Sequence, residues 1–355
     1  MSRALRVAVV GAGIAERHVE AFRRLPELFE LPVLCALDAE RGQALCARHG
    51  IAEFSTEFDT LLRRTDIDVI DICTPPASHF GLARLALTAG KHVICEKPLF
   101  GSLAECDRVA GLAPPGGPRL MPIFQYRFGM GLAQLRHLVA LGLAGEPVTS
   151  TVETHWWRGP AYYEVPWRGR WATELGGGML GHAIHAHDML ACAMGEIAEL
   201  FAFGATRVNA IEVEDTMAVS LRMANGSLAT LSMTLGSREE ISRLRFCFKR
   251  LTAESNLAPY APGREPWRFI AGDPGHQQEV DAALALMPRH DDGYVRQFEL
   301  FHAAVLSGGE LPVTLADARR SLELVTAAYH SQRTGQPVKL PLPADHPLYE
   351  SWLPR

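Results

Sequence analysis

Three histidines and an aspartate lie within seven positions of the segment from Glu174 to Gly195, just after three consecutive glycines. Imidazole and carboxylate groups at this density are typical of a metal site, of acid–base catalysis or of a buried helix. In a helix, His182, His185 and Asp188 share one stripe at i, i+3 spacing, whereas His187 points about 160° away from His185. The three imidazoles therefore lack a common face, and neither an H-E-x-x-H motif nor a cysteine pair supplements them. The spacing predicts no metal site here.

A lysine follows one of the predicted buried strands. Lys97 stands in "VICEKPL", where the strand ends and Pro98 fixes the exit of the chain. Open α/β sheets bind ligands beyond the carboxyl ends of their strands, so an ammonium there can donate to a substrate hydroxyl and stabilise an alkoxide as hydride leaves. The same residue types are equally typical of a surface lysine paired with Glu96.

A glycine-rich turn follows the first predicted strand, in "VAVVGAGIAERHVEAF". Gly11 and Gly13 permit a tight turn and the close approach of a pyrophosphate to the N-terminus of the next helix, where N–H groups and the helix dipole attract anions. The third glycine of the dinucleotide motif is missing. Its place holds Glu16, or Ala15 if the loop is one residue shorter. We predict a cofactor-binding turn formed by Gly11, Gly13, Ile14 and Ala15.

An acidic residue ends the second predicted strand. Asp38, in "VLCALD", can accept hydrogen bonds from both hydroxyls of an adenosine ribose and repel a 2'-phosphate. This position predicts NAD as the cofactor and disfavours NADP. The alternative is a solvated aspartate that only caps the following helix.

The elements that must position these residues follow two patterns. From Leu5 to about Phe124, short apolar runs alternate with helix-period segments, which predicts a doubly wound parallel α/β sheet of the Rossmann type. After Gly145 strand-like stretches dominate, and an Asn-Gly pair within "ANGS" at residues 224–227 predicts a hairpin.

We therefore expect an α/β domain followed by an α+β domain. Residues 1–124 form the predicted NAD-binding Rossmann domain. Residues 125–335 form a second domain with a large, mostly antiparallel open sheet, which ends in helices at about 292–307 and 315–333. Residues 336–355 form a tail that packs back on the fold.

The composition is that of an ordinary globular protein. The 355 residues carry 35 Lys and Arg against 40 Asp and Glu, so a nucleic-acid partner is not expected. No apolar run approaches the roughly 18 residues of a membrane span, and a signal peptide before the first strand pattern is not expected. The seven cysteines are scattered without a C-x-x-C pair, which favours reduced thiols and a cytoplasmic location without membrane contact.

One passage resembles a known enzyme family. "DVIDICTPPASHFGLARLALTAGKHVICEKPL" contains a T-P turn with a following histidine, then G-K-H-V, then E-K-P at the end of the next strand. It resembles the Gfo/Idh/MocA oxidoreductases, which include glucose-fructose oxidoreductase and inositol dehydrogenase. "QYRF" at 125–128, the triple glycine, "VEDT" at 213–216 and the closing "SQRTGQPVKLPL" resemble the family as well. The resemblance implies that the cofactor site includes Thr74, Pro75, His79, Glu96 and Lys97.

The resemblance also implies the catalytic residues. In the family a helix after the glycines offers H-x-x-D, and His185 matches its histidine. His185 is thus the expected base that takes a hydroxyl proton near neutral pH, and Lys97 is its electrostatic partner. Many members carry an aspartate four residues before this histidine, where this chain has Gly181, and its neighbour His182 becomes a second polar contact to substrate. His187 is expected to be a helix histidine bonded to a backbone carbonyl.

Aromatic and arginine residues crowd positions 154–171, a pattern that suits a polyhydroxylated ring and is also typical of a core edged by surface charges. The glycines Gly176 to Gly178 are expected to let the chain pass close to cofactor and substrate. By similarity, the expected substrate contacts are Arg127, Tyr163, Trp167, Arg168, His182 and His185, with His155 ranked after them.

These residues predict an NAD-dependent dehydrogenase that acts on CH–OH groups of a sugar, a sugar derivative or inositol. The resemblance implies a homodimer or a homotetramer, with residues 125–335 as the substrate-binding and oligomerisation domain. Two alternatives stay open: a redox-neutral enzyme with retained NAD that oxidises, eliminates or epimerises a glycoside and reduces it again, and a non-catalytic NAD-binding regulator. Release of NADH tests the first, and the absence of turnover over a sugar and polyol panel would favour the second.

Overall fold

The first unit of the protein is built on a sheet of six parallel strands. The computed structural model describes residues 3–114 and 116–354, and its first six strands are β1 (Leu5–Val10), β2 (Phe29–Cys35), β3 (Glu53–Ser55), β4 (Val69–Ile72), β5 (His92–Cys95) and β6 (Leu120–Pro122). They lie in the order β3-β2-β1-β4-β5-β6. This is the strand order of a Rossmann fold, whose ligand crevice opens between β1 and β4, where the order reverses. The predicted doubly wound sheet is confirmed.

Helices connect these strands, as parallel strands require. They are α1 (Ala15–Arg23), α2 (Ala39–His49), α3 (Phe58–Leu62), α4 (His79–Thr88) and α5 (Leu103–Ala110). The buried positions of the central strands are almost all apolar because helices cover both faces of the sheet. Asp71, in the middle of β4, is the exception, and it is completely buried.

A second sheet of eight strands forms the core of the second unit. Its strands are β7 (Pro147–Trp157), β8 (Ile197–Ala205), β9 (Thr216–Met223), β10 (Leu228–Thr234), β11 (Gly236–Phe248), β12 (Leu251–Glu254), β13 (Arg268–Ala271) and β14 (Val338–Lys339). They lie in the order β13-β12-β11-β7-β10-β9-β8-β14, and all pairs are antiparallel except β7 with β10. Buried and exposed residues alternate along β9, so one face of this sheet is open, as predicted.

The second unit contains five further helices, α6 (Met130–Ala140), α7 (Trp171–Glu174), α8 (Gly178–Gly181), α9 (Ile184–Met194) and α10 (Pro274–Ala285). The predicted hairpin at residues 224–227 joins β9 to β10. Residues 258–289, where the sequence pattern is irregular, contain β13 and α10. The remaining helices are α11 (Tyr294–Ser307) and α12 (Leu315–Thr334), close to their predicted bounds.

The compact units differ from the predicted domains in one helix. Tyr294–Arg319, which includes α11, belongs with the residues up to Ile123, whereas Phe124–Gly293 and the residues from Arg320 onward form the second unit. The reason is aromatic packing: Phe298 of α11 stacks on Phe22 of α1 with ring centroids 4.1 Å apart. Among the described residues, no helix is both long and apolar enough to cross a membrane.

Candidate active site

The turn between β1 and α1 has the geometry that a dinucleotide needs. Gly11 has a φ of +114°, and a Cβ there would lie 2.5 Å from the carbonyl oxygen of Cys73, so glycine is required. A Cβ at Gly13 would meet nothing within 4 Å, so the space before α1 is open and packing alone does not demand this glycine. Ala15 is fully buried at the first position of α1, which agrees with the shorter loop. These features fit a pyrophosphate at the helix N-terminus.

Asp38 lies at the N-cap of α2, where its Oδ1 accepts a hydrogen bond from the main-chain N–H of Arg41 at 3.0 Å. The capping alternative is therefore observed. The side chain is exposed and its carboxylate has a second oxygen, so capping and ribose binding are compatible. The ribose contact remains a prediction.

The segment after β4 is held by internal hydrogen bonds. The Oγ atoms of Thr74 and Ser78 lie 2.7 Å apart, and Ser78 also donates to the carbonyl oxygen of Pro75 at 2.8 Å. His79 is completely buried, with its Nε2 2.8 Å from the carbonyl oxygen of Thr74 and its Nδ1 2.9 Å from that of Pro98. This ring thus ties the exit of β4 to the exit of β5. Direct cofactor contacts of Thr74, Pro75 and His79 remain predictions.

Lys97 lies two residues after β5, and the neighbouring carboxylate fixes its main chain. Glu96 is buried, and its Oε2 accepts a hydrogen bond from the Lys97 N–H at 3.0 Å. Its Oε1 lies 3.0 Å from Nε2 of His18 and 2.8 Å from the hydroxyl of Tyr294. Burial works to raise the pKa of Glu96, but the hydrogen bond and charge of His18 outweigh it and lower the pKa to about 2. Glu96 therefore forms hydrogen bonds with the buried groups of His18 and Tyr294, and its pairing is not limited to the ammonium of a surface lysine.

In the second unit the three glycines are explained by close packing. A Cβ at Gly177 would lie 1.8 Å from the carbonyl oxygen of Glu214, and one at Gly178 would lie 2.4 Å from the sulfur of Met233. The buried carboxylate of Glu214 accepts hydrogen bonds from the N–H groups of Gly177 and Met179 and from the hydroxyl of Tyr329, all at 3.0 to 3.1 Å. Glu214, in the "VEDT" motif, thus fastens the loop that precedes the histidines.

The predicted continuous helix after Gly178 is wrong, because the chain breaks between α8 and α9. His182 ends α8 with φ −121° and ψ −57°, which are not helical values. His185 and Asp188 still share a stripe because both lie in α9, but His182 is not on that stripe. Helix α8 has only four residues and ends at a glycine and a histidine, so the sequence there is too short to show a helical repeat.

The two candidate site histidines have different aromatic neighbours. His185 is buried and stacks on Tyr126, with ring centroids 4.3 Å apart and planes 27° apart. The Nε2 of His182 lies 3.0 Å from the hydroxyl of Tyr162, and its ring meets Trp156 edge-on at 5.6 Å. Both imidazoles are thus oriented by rings that the sequence analysis did not single out.

Arg127 forms a buried ion pair with the aspartate of the H-x-x-D motif. Its Nε donates to Oδ2 of Asp188 at 3.1 Å, and its Nη2 donates to Oδ1. Only 8% of the Arg127 side chain and 3% of the Asp188 side chain are exposed. The two parallel hydrogen bonds position α9, which carries His185, relative to the turn at Gln125–Phe128. A direct substrate contact of Arg127 remains a prediction.

Arg168 is the centre of the predicted substrate cluster. Its guanidinium lies 3.9 Å from the ring centroid of Tyr162 and 4.3 Å from that of Trp167, and it donates a hydrogen bond to the Tyr162 hydroxyl. Burial lowers the pKa of Arg168 to about 10, although Glu174, 3.6 Å away, favours the charged form. Tyr163 packs edge-on against Tyr162 at 5.1 Å. The structure thus brings the predicted contacts Tyr163, Trp167, Arg168 and His182 together around Tyr162.

His187 differs from its neighbours. It is buried, and its Nε2 lies 3.4 Å from the carbonyl oxygen of Met179. Burial lowers the pKa of His187 to about 4, so the ring is neutral at pH 7. The predicted backbone-bonded helix histidine is confirmed.

The comparisons with known proteins agree with this geometry. Residues 5–124 match the oxidoreductase family with an NAD-binding Rossmann fold, and residues 132–254 match the GFO/IDH/MocA C-terminal domain. The chain belongs to the Gfo/Idh/MocA oxidoreductase family. It is an NAD-binding oxidoreductase, and the predictions of an oxidoreductase enzyme and of NAD as its cofactor are confirmed.

Individual relatives of this Gfo/Idh/MocA enzyme cover nearly its whole length. The uncharacterized oxidoreductase YrbE of Bacillus subtilis is 27% identical over 351 residues, which is 96% of this chain and 98% of the relative. D-glucoside 3-dehydrogenase of Escherichia coli is 28% identical over 368 residues, again 96% of this chain and 98% of the relative. The crystal structure of the WlbA dehydrogenase from Bordetella pertussis in complex with NADH and UDP-GlcNAcA has a TM-score of 0.85 at 25% identity, with coverage of 97% and 100%.

Two buried residues of this enzyme's first unit escaped the sequence analysis. The Nδ1 of His18 lies 3.0 Å from both carboxylate oxygens of Asp71, and both side chains are completely buried. An aspartate inside the apolar run "VIDI" was the available signal, because a buried carboxylate needs a partner. Within residues 3–114 and 116–354, one group of three potential metal ligands comes together, and it consists of His18, Asp71 and Cys73 rather than the histidines of α8 and α9.

Proposed function

We propose that this oxidoreductase oxidises one hydroxyl of a polyhydroxylated ring, in the first instance a sugar or a glycoside. The observation that carries the substrate class is the cluster of Tyr162, Trp167, Arg168 and His182. Aromatic faces pack against the C–H face of a sugar ring, and a planar guanidinium donates to its hydroxyls. A relative that is a D-glucoside 3-dehydrogenase and a similar structure solved with a nucleotide sugar support the same class.

His185 is the proposed base. A free imidazole has a pKa near 6.5, about right for accepting an alcohol proton at neutral pH. Stacking on Tyr126 limits rotation of the His185 ring, and the Arg127–Asp188 ion pair holds the helix that carries it. The side chain therefore loses little freedom when it accepts the proton.

Lys97 is the proposed electrostatic partner. Its ammonium donates to the same substrate oxygen and stabilises the negative charge that develops as the proton leaves. NAD, when bound, supplies the acceptor for the hydride. Gly11, Gly13, Ile14 and Ala15 would hold the pyrophosphate, and Asp38 the adenosine ribose, which the open space before α1 permits.

The test is single-turnover NADH formation with methyl β-D-glucopyranoside and a panel of other glycosides, nucleotide sugars and inositols. In Lys97→Met and His185→Ala we expect losses of about 10² to 10⁴ in rate, because both groups act mainly in the transition state. NAD affinity should change far less. Since the two groups serve one oxygen, the double variant should lose less than the product of the single losses.

His187→Leu, on the same helix as His185, is the matched control and should keep its rate. A Lys97→Met enzyme of full rate would contradict the mechanism. Product formation without NADH release would show instead a redox-neutral reaction with retained NAD, and inactivity across the panel with intact NAD binding would favour a regulator.

A further inference from the structure

The imidazole of His18 lies between two buried carboxylates. Its Nδ1 is 3.0 Å from both oxygens of Asp71, and its Nε2 is 3.0 Å from Oε1 of Glu96. None of the His18 or Asp71 side chain is exposed, and only 4% of the Glu96 side chain is. The contacts of this group of three, which we name the His18 bridge, are therefore shielded from bulk solvent.

These distances determine the charge of the ring. An ionised carboxylate only accepts hydrogen bonds, so each ring nitrogen that faces one must carry a proton. With a proton on both nitrogens, His18 is an imidazolium. Burial opposes this charge, but Asp71 and its hydrogen bond outweigh the burial, and the pKa of His18 lies well above 6.5. Burial also raises the pKa of the Cys73 thiol, which donates to Asp71 at 3.6 Å.

The bridge ends on the main chain of Lys97. Glu96 binds His18 through Oε1 and the N–H of Lys97 through Oε2, while Tyr294 donates to Oε1. On the other side of Lys97, the carbonyl oxygen of Pro98 lies 2.9 Å from the buried ring of His79. Buried histidines therefore hold the chain directly before and directly after Lys97.

We propose that His18 is a permanent imidazolium that joins Asp71 to Glu96 and thereby positions Lys97 for catalysis. The role is one of positioning, and the catalytic part rests on the proposed function of Lys97. The bridge carries two negative charges and one positive charge, so its net charge of −1 also favours an ammonium at Lys97.

The first test measures the charge itself and needs no substrate. In protein labelled with 15N-histidine, His18 is assigned by comparison with His18→Gln, and long-range 1H–15N correlations report which ring nitrogens carry protons. We expect both nitrogens of His18 to stay protonated from pH 6 to pH 9. The groups that face the ring are Asp71, Cys73, Glu96 and Tyr294. Loss of either proton within this range would overturn the proposal.

The second test removes the charge and keeps the shape. In Asp71→Asn the amide oxygen still accepts and the amide nitrogen can donate to Nδ1, so His18 should be neutral at pH 8. With methyl β-D-glucopyranoside, or the panel compound that turns over, we expect kcat to fall by at least about tenfold, which is about 1.4 kcal/mol in the barrier. NAD affinity should be retained. The ratio of variant to wild-type kcat should rise from pH 8 to pH 6 as His18 regains its proton.

The matched control is His302→Gln, which alters another buried histidine of the first unit whose Nε2 lies 3.0 Å from the carbonyl oxygen of Arg3. It should lower stability without changing kcat or its pH profile. A merely structural role of His18 would make Asp71→Asn behave in the same way, and that result would overturn the positioning role. If Lys97→Met keeps its full rate, the proposed function is wrong. The charge of His18 is decided separately, by the NMR signals of its ring nitrogens.

Zinc analysis completes the experiment, because the Nδ1 of His18, Asp71 and Cys73 together offer three potential ligand atoms. We expect protein purified without chelator to hold no stoichiometric zinc. Stoichiometric zinc that is lost in His18→Gln would overturn the imidazolium, since a metal-bound Nδ1 carries no proton.

Discussion

In the first unit the buried carboxylates of Asp71 and Glu96 face an imidazolium, whereas in the second unit the donors to the buried carboxylate of Glu214 that the structure describes are all neutral. Burial acts on Glu96 and Glu214 in the same direction, since it favours the protonated form. For Glu96 the positive charge prevails, and the pKa is about 2. For Glu214 burial prevails over its hydrogen bonds, and the pKa is raised to about 7.

This difference separates two ways of holding a loop. A carboxylate that faces a cation keeps its charge over the whole working pH range, so the main chain next to Lys97 is held in one state. A carboxylate that faces neutral donors changes its charge near neutral pH, so the hold of Glu214 on the glycine loop before His185 depends on pH. The second unit also contains a buried ion pair, Arg127 with Asp188. A charge-paired carboxylate and one that faces neutral donors, Glu214, can therefore be compared within the same unit.

The largest effect is expected for Asp188→Asn. The variant leaves the guanidinium of Arg127 buried without its ionic partner, and breaking a buried pair typically costs about 3 to 5 kcal/mol. We expect the urea midpoint of unfolding, followed by tryptophan fluorescence, to fall accordingly. The exposed pair Lys249–Glu146 is the control, and Glu146→Gln should leave the midpoint unchanged. Equal midpoints for Asp188→Asn and wild type would mean that this pair does not stabilise the second unit.

A pH-dependent effect of a few kcal/mol is expected for Glu214→Gln. Between the ordinary carboxyl pKa of 4.5 and about 7, the folded protein keeps a proton on Glu214 that the unfolded chain releases. The contribution of this carboxyl to stability is therefore complete below pH 4.5 and is lost as the pH rises through 7. At about 1.4 kcal/mol per pKa unit, the free energy of unfolding of wild type should fall by up to about 3 kcal/mol relative to the variant from pH 5 to pH 8.

The carboxyl of Glu96 is the matched comparison in the first unit, and Glu96→Gln identifies its signal. The pKa of Glu96 lies at about 2, so its carboxyl should stay ionised between pH 5 and pH 8, whereas that of Glu214 should titrate. Carboxyl 13C signals of glutamate-labelled protein measure both groups, and a Glu96 signal that moves together with the Glu214 signal would contradict the distinction between the units.

A smaller effect, on cofactor choice, is expected for the exposed Asp38. Asp38→Ser removes the charge that repels a 2'-phosphate and keeps an oxygen that can cap α2. We expect the ratio of NADP to NAD dissociation constants to fall by about tenfold, or about 1.4 kcal/mol. Glu40→Gln, two positions along the same chain, is the control. Equal affinity of wild type for both cofactors would remove this role from Asp38 and point to Arg41 as a phosphate contact.

Local patterns were sufficient to predict the sheets, because continuous and alternating apolar runs differ in period. They were also sufficient to predict the bond of His187 to a backbone carbonyl, whereas the catalytic role of Lys97 stays a prediction. The aromatic partners Tyr126 and Tyr162 were missed because their contacts join residues far apart in the chain. Tyr126 stacks on His185, 59 positions away, and Tyr162 forms a hydrogen bond with His182, 20 positions away. The repeat pattern of a short segment of sequence cannot reveal a contact between residues this far apart.

The His18 bridge was missed for the same reason. Its members come from α1, from β4 and from the residue after β5, at separations of 53 and 78 positions. Sequence spacing also misplaced α11 in the second domain, since the stacking of Phe298 on Phe22 is visible only in three dimensions.

The smallest effect is expected for His187→Leu. In wild type the Nδ1 of His187 is buried and has no hydrogen-bond partner among the described residues, and the contact of Nε2 with Met179 is long, at 3.4 Å. Leucine has a similar volume and removes the unsatisfied atom. At pH 7.5 we therefore expect stability to change by less than about 1 kcal/mol, because the lost hydrogen bond and the lost burial penalty nearly cancel.

The same variant should separate from wild type in acid. The folded protein keeps His187 neutral down to its pKa of about 4, while the unfolded chain binds a proton below the ordinary value of 6.5. Wild type therefore loses the contribution of this residue as the pH falls from 6.5 towards 4, and the leucine variant does not. Urea unfolding at pH 7.5 and pH 5 measures the gap. A gap that stays constant would show that the folded protein binds this proton as readily as the unfolded chain does, so that burial does not lower the pKa of His187. A wild type that instead gains stability relative to the variant in acid would place His187 with the charged His18 rather than with the buried neutral groups.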